Sequence, residues 1–182
     1  MRLNAAAPHA NLTDADTYSL MSLCPFESVA EEKRSNFCNL YDEFDAFEGF
    51  EYGGDLDKYY GTGYGQSLGP VQGVGYVNEL LARLTNTVVS DHTQTNTTLD
   101  ADPATFPLNH TLYADFSHDN QMIAIYAAMG LFPQHAALDP TAPNPHRSWR
   151  VAKLVPFSAR MVWRNCGARG EGGTGASTCE YW

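Results

Sequence analysis

The sequence predicts an α/β chain whose first part is helical, and three observations carry this. Phe37, Leu40, Tyr41, Phe44, Phe47 and Phe50 recur at intervals of three and four, which is the apolar stripe of a helix. Val77, Leu80, Leu81 and Leu84 repeat with the same period, predicting an amphipathic helix over 75–84. Residues 111–116 have strand character and give way to helical spacing over 121–129, the strand-to-helix junction on which α/β folds are built.

Taken in chain order, Thr13 followed by Asp14 and Asp16 predicts a helix start, because a Thr hydroxyl caps a free amide and carboxylates favour the positive helix end. That helix is expected to reach about Cys24, where Pro25-Phe26 interrupts. The aromatic stripe over 37–50 is assigned to the core. Six glycines fall within 59–75, and Gly61-Thr62-Gly63-Tyr64-Gly65 resembles a nucleotide-binding loop only superficially. No Val/Ile strand leads into it, the third glycine is misplaced for G-x-G-x-x-G, and no Gly-Lys-Ser/Thr follows.

Residues 90–109, rich in Thr, Asp, Asn and Pro, are expected to form a long solvated loop. The helix over 121–129 carries Met122, Ile123, Ile125, Tyr126 and Met129 and stops at Gly130. Residues 151–163 read as one or two strands, with Pro156 at an edge or bend. A Gly/Ala/Ser tail over 167–182 has no apolar period and is expected to be disordered.

The chain has 182 residues, 43% hydrophobic and 12% aromatic, enough to bury a core. Its 11 basic and 21 acidic residues give a formal charge of -10, which opposes nucleic-acid binding. Protonation of carboxylates and histidines would relieve that charge, so the composition suits an acid medium and an anionic small molecule there. No apolar run is long enough for a membrane span, and the first residues lack the apolar core of a signal peptide. Cys24, Cys38, Cys166 and Cys179 form no C-x-x-C and no zinc-finger pattern, so no metal is expected. Cys24 and Cys38 stand fourteen apart, close enough for a local disulfide. Sequons occur at Asn11, Asn96 and Asn109, as a secreted glycoprotein would carry.

The chemistry concentrates at the junction. A strand feeding a helix aims free amides beyond the strand's carboxyl end, where anions bind. His118 offers a donor to a phosphoryl oxygen, Asp119 a proton, and Asn120 an amide for positioning. The same residues also suit plain helix capping by Asp119 or Ser117, with His118 as a surface side chain.

Tyr113-Ala114-Asp115-Phe116-Ser117-His118-Asp119-Asn120, preceded by Pro103-Ala104-Thr105-Phe106-Pro107-Leu108-Asn109, resembles the second signature of the fungal histidine acid phosphatases, above all the phytases. Lys58-Tyr59-Tyr60-Gly61, Leu68-Gly69-Pro70, Gln72-Gly73-Val74-Gly75-Tyr76 and Asn78-Glu79-Leu80-Leu81-Ala82-Arg83-Leu84 resemble the same family in the same order. The resemblance spans most of residues 2–166. It implies the C-terminal part of a histidine-phosphatase (phosphoglycerate mutase-like) α/β fold. Residues 1–57 would belong to a helical insert, 58–166 to the α/β domain, and 167–182 to the tail.

The resemblance also implies secretion, glycosylation, no metal or other cofactor, and hydrolysis of phosphate monoesters such as phytate through a phosphohistidine. Asp119 would be the proton donor, His118 a phosphate contact, Asn120 and Lys58 substrate contacts, and Cys24–Cys38 a local disulfide. Cys166 would pair with a cysteine outside the chain, stay free, or join Cys179. The family's nucleophilic R-H-G-x-R-x-P segment is absent from the sequence, so the chain is expected to begin partway through the protein and to be inactive alone. Ser22 stands where phytases often place an acid, and Lys58 stands beside Asp57 rather than a second lysine, which weakens the expectation for phytate over simpler esters. A non-catalytic, anion-binding glycoprotein with the same fold remnant is the alternative. Oligomeric state is left open.

Overall fold

The computed structural model describes residues 2–42, 46–93 and 95–164. Among them the order is α1 (Arg2–Ala6), α2 (Asp14–Met21), α3 (Leu23–Ala30), a 3-10 turn (Asn36–Cys38), α4 (Asn39–Asp42), α5 (Ala46–Gly61), α6 (Gly69–Thr85), α7 (Thr97–Asp100), α8 (Asp119–Ala128) and α9 (Val151–Leu154). No strand occurs among the described residues. This corrects the expectation of a strand over 111–116 and of one or two over 151–163. A strand exists only through its ladder partners, and none of the described segments pairs its backbone with 111–116. Its apolar side chains accordingly face solvent, with Leu112 80% and Phe116 99% exposed. In the second segment, residues 151–154 close one helical turn instead.

α2 starts as the sequence predicts. Thr13 accepts from the Asp16 amide and Asp16 accepts from the Thr13 amide, a complete capping box. The chain then breaks at Ser22, and Pro25 falls in the first turn of α3, where its missing N–H costs nothing. The aromatic stripe over 37–50 is divided between the 3-10 turn, α4 and the start of α5, while its member Phe44 lies outside the described residues. Tyr41 is buried against Phe37 and Phe47, but Leu40 points outward. Cys24 and Cys38 are joined, which ties α3 to the 3-10 turn. Cys166 and Cys179, like the tail over 167–182, lie outside the described residues. Reducing this bridge, or replacing Cys38 by Ser, should lower the chain's stability by about 3 kcal/mol on the loop-closure argument, read from urea denaturation with and without reductant.

α5 runs on through residues 57 and 58, so the expected division between 1–57 and 58–166 falls inside one helix. α6 is longer than the predicted 75–84: Pro70 occupies its first turn, and it ends at Asn86, which takes the left-handed conformation that closes a helix. α6 packs along α8. A Cβ on Gly73 would come within 2.3 Å of the Ala124 carbonyl oxygen, so only glycine lets the two backbones approach this closely. α7, capped by the Asn96 side chain, is a short helical turn within the expected loop.

The core lies where α5 and α8 meet residues 131–155. Tyr52, Tyr59, Ile123, Tyr126, Leu138 and Trp149 are all buried there. Trp149 is fully buried, edge-on to Tyr59 and Tyr64. Its indole N–H donates to the Asp55 carbonyl. Asp55 itself is fully buried: its carboxylate accepts from Arg147 Nε at 2.5 Å and from the Val151 amide at 2.7 Å. Arg147 also reaches Glu51 and lies over the Tyr52 ring. This knot fastens residues 144–151 to α5 and so fixes the side of α5 that carries Lys58. No helix among the described residues is long and apolar enough to cross a membrane.

Candidate active site

α8 begins at Asp119 with His118 as its N-cap, in extended conformation and with no side-chain capping bond. Neither Ser117 nor Asp119 caps the helix in the expected way; Asp119 instead accepts from the next amide, Asn120 N–H, at 2.8 Å. His118 is exposed, and its imidazole makes no hydrogen bond among the described residues. The first-turn amides of α8 and its positive dipole end are therefore directed at the same space as His118 and Asp119.

The fold brings Lys58 to this point from the last turn of α5, 62 residues away in sequence from Asn120. Its Nζ lies 2.9 Å from Asp119 Oδ2, 2.7 Å from Asn120 Oδ1 and 3.4 Å from Asp57 Oδ2. The Lys58 side chain is largely buried, whereas those of Asp119 and Asp57 are exposed. The geometry is therefore a half-sheltered ammonium facing three oxygen acceptors, open on the side of the two carboxylates.

The Lys58 hydrogen bond holds the Asp119 carboxyl below the usual carboxylate range, the Asn120 amide and the Lys58 charge add to this, and partial burial opposes it. The helix end thus contributes to the depression, but the lysine is its main source. On folding grounds a depressed carboxyl gives stability that is present above its ordinary pKa and lost as pH falls through the lower, folded value. Burial raises the pKa of Tyr18 on α2 above the ordinary phenol value, the Asp57 charge adds to this, and Lys58 opposes it. A Cβ on Gly53 would meet the Tyr18 ring at 2.9 Å, so that glycine admits α2 against α5.

Of the residues singled out in the sequence, the structure gathers Lys58, Asp119 and Asn120 into one contact group and places His118 beside it. Asn11, Asn96 and Asn109 are exposed and lie apart from it. Sequence reading missed the Asp55–Arg147 knot, whose partners are 92 residues apart. No local motif marks such a pair. No group of three or more His, Cys, Asp or Glu side chains suited to a metal occurs among the described residues.

Comparison with known proteins places the chain in a family. Residues 1–165 match the model of the histidine phosphatase superfamily (branch 2). Phytase A of Aspergillus terreus is 48% identical over 168 residues, covering 87% of this chain and 35% of that protein. Phytase A of Arthroderma benhamiae is 46% identical over 169 residues, covering 89% and 37%. Phytase A of Penicillium oxalicum is 41% identical over 186 residues, covering 93% and 39%. The chain thus spans little more than a third of the length of these curated relatives. Because the family model matches nearly the whole chain, the chain belongs to the histidine phosphatase superfamily.

Proposed function

We propose that this chain supplies the proton-donor side of an acid phosphomonoesterase site of the phytase kind. The observation that carries the reading is the junction of Lys58, Asp119 and Asn120 with His118 at the start of α8. Free helix amides, an ammonium and an imidazole all favour phosphoryl oxygens. In this reading Asp119 gives its proton to the departing ester oxygen. A histidine nucleophile would form the N–P bond as the P–O bond breaks, the alcohol would take the Asp119 proton, and water would then release phosphate.

Asp119 must be protonated for this step, and its depressed pKa places that form at acid pH. A phosphate dianion arriving beside it and drawing on Lys58 raises the pKa and helps to load the proton. Phytate is the proposed ester, from the names of the relatives. Secretion, glycosylation at Asn11, Asn96 and Asn109, an α/β fold for the whole protein, and a division into insert and phosphatase parts near residue 57 belong to the same reading.

The sequence holds no R-H-G-x-R-x-P segment, and without a nucleophile and its phosphate clamp the largest contributions to rate are missing. The purified 182-residue chain is therefore expected to release no phosphate from phytate or p-nitrophenyl phosphate at acid pH. Turnover that disappears in Asp119→Ala would show that the chain alone carries a complete site and would overturn this assignment.

A further inference from the structure

Among the described residues, 111–118 lead into α8 without a ladder, a disulfide or a buried apolar anchor, and they run directly into His118 and Asp119. A cation clasps them. Arg83, in the last turn of α6, donates from Nη1 to Asp115 Oδ2 at 2.6 Å, and the Tyr76 hydroxyl donates to the same oxygen at 3.2 Å. The Arg83 guanidinium lies 4.9 Å from the Phe106 ring centroid and 5.1 Å from that of Tyr113. The segments that carry Phe106 and Tyr113 are thus held on one planar group. Its Nε is buried without a hydrogen-bond partner among the described residues, so the hold depends on one ion pair and two ring faces rather than on a broad network.

The same helix meets α8 backbone to backbone at Gly73 and Ala124. α6 therefore grips both the helix that bears Asp119 at its start and, through Arg83, the strip that feeds it. Asp115 is four residues before Asp119, too few for a slack lead-in to leave the acid undisturbed. We propose that Arg83 is a positioning residue for the proton transfer: by clasping Asp115, Phe106 and Tyr113 to α6 it fixes the direction from which His118 and Asp119 enter the site. This rests on the reading of Asp119 as proton donor.

A misplaced acid harms esters whose leaving alcohols need a proton and spares those that leave unaided, whereas general loss of structure harms both equally. The test uses the full-length polypeptide that releases phosphate. In Arg83→Met, kcat on an alkyl phosphate should fall about tenfold to a hundredfold, while kcat on p-nitrophenyl phosphate changes much less and KM for either is little altered. Arg83→Lys, which keeps the charge but not the planar stack, should recover part of the loss. Asp115→Asn, which keeps the shape of the partner, gives the same test if Arg83→Met does not fold. Asp119→Asn is run alongside. If it shows the leaving-group bias and the Arg83 and Asp115 variants do not, the positioning role is wrong and the acid assignment stands. If Asp119→Asn itself shows no bias, the acid assignment fails and the positioning role fails with it.

Discussion

Replacing Asp55 by Ala should destabilise the chain by about 3–5 kcal/mol, because a buried arginine then keeps only its longer contact to the partly exposed Glu51. The side chains of Asp55 and Arg147 are 0% and 1% exposed, so water cannot take over the lost partner. The Val151 amide would lose its acceptor as well. Burial pushes the Asp55 carboxyl above its ordinary pKa, against the Val151 amide and Arg147, which lower it. The sign follows: a raised carboxyl contributes most below its unfolded pKa, and the contribution is lost as pH rises through the folded value. The ion pair is therefore costly to maintain and costlier to break. Urea denaturation of Asp55→Ala and of the double variant Asp55→Ala/Arg147→Met separates the two. The double variant should be the more stable of the pair, because it buries no unpaired charge. A double variant as unstable as the single one would mean that the knot acts through packing alone.

Replacing Asp119 by Asn in a phosphate-releasing polypeptide should cost about a hundredfold to ten-thousandfold in kcat on an alkyl phosphate. Asn keeps the volume and accepts the same Asn120 N–H bond, but it has no proton to give. On p-nitrophenyl phosphate, whose leaving group is already stable as an anion, the loss should be far smaller. The alkaline limb of kcat/KM on the alkyl ester should also disappear, since it reports deprotonation of the acid in the free enzyme. If Asp119→Asn leaves both the rate and that limb unchanged, Asp119 has no part in the chemistry. Losing the Asp119 carboxylate also frees the Lys58 ammonium from its 2.9 Å partner, so substrate binding should not weaken.

The junction at 117–120 is legible in the sequence because its signals are local. A polar cluster between a segment of strand character and a periodic apolar run marks a helix start, and α8 begins within two residues of the expected place. The capping box at Thr13 is legible for the same reason. The strand over 111–116 is where local reading fails: residue types favour an extended chain there, but a ladder needs partners, and none of the described residues provides one. The helix over 75–84 reads too short because Gly69, Gly73 and Gly75 resemble loop residues in sequence. In the fold, Gly73 is the point where α6 touches the α8 backbone. Lys58 comes to notice only through resemblance, since nothing in its neighbourhood shows that the last turn of α5 ends against α8.

By itself the sequence determined the helix starts, the apolar faces, the charge balance and the identity of the groups that can hold or transfer a proton at residues 118–120, because each depends on neighbours within a few turns. Only the tertiary structure decided that Lys58 meets Asp119, that Arg83 clasps Asp115, and that Arg147 is buried on Asp55. Those pairings join residues 61, 32 and 92 positions apart. They follow from how helices pack, and backbone approach at glycine and burial of tyrosine and tryptophan set that packing without leaving a periodic trace in the chain.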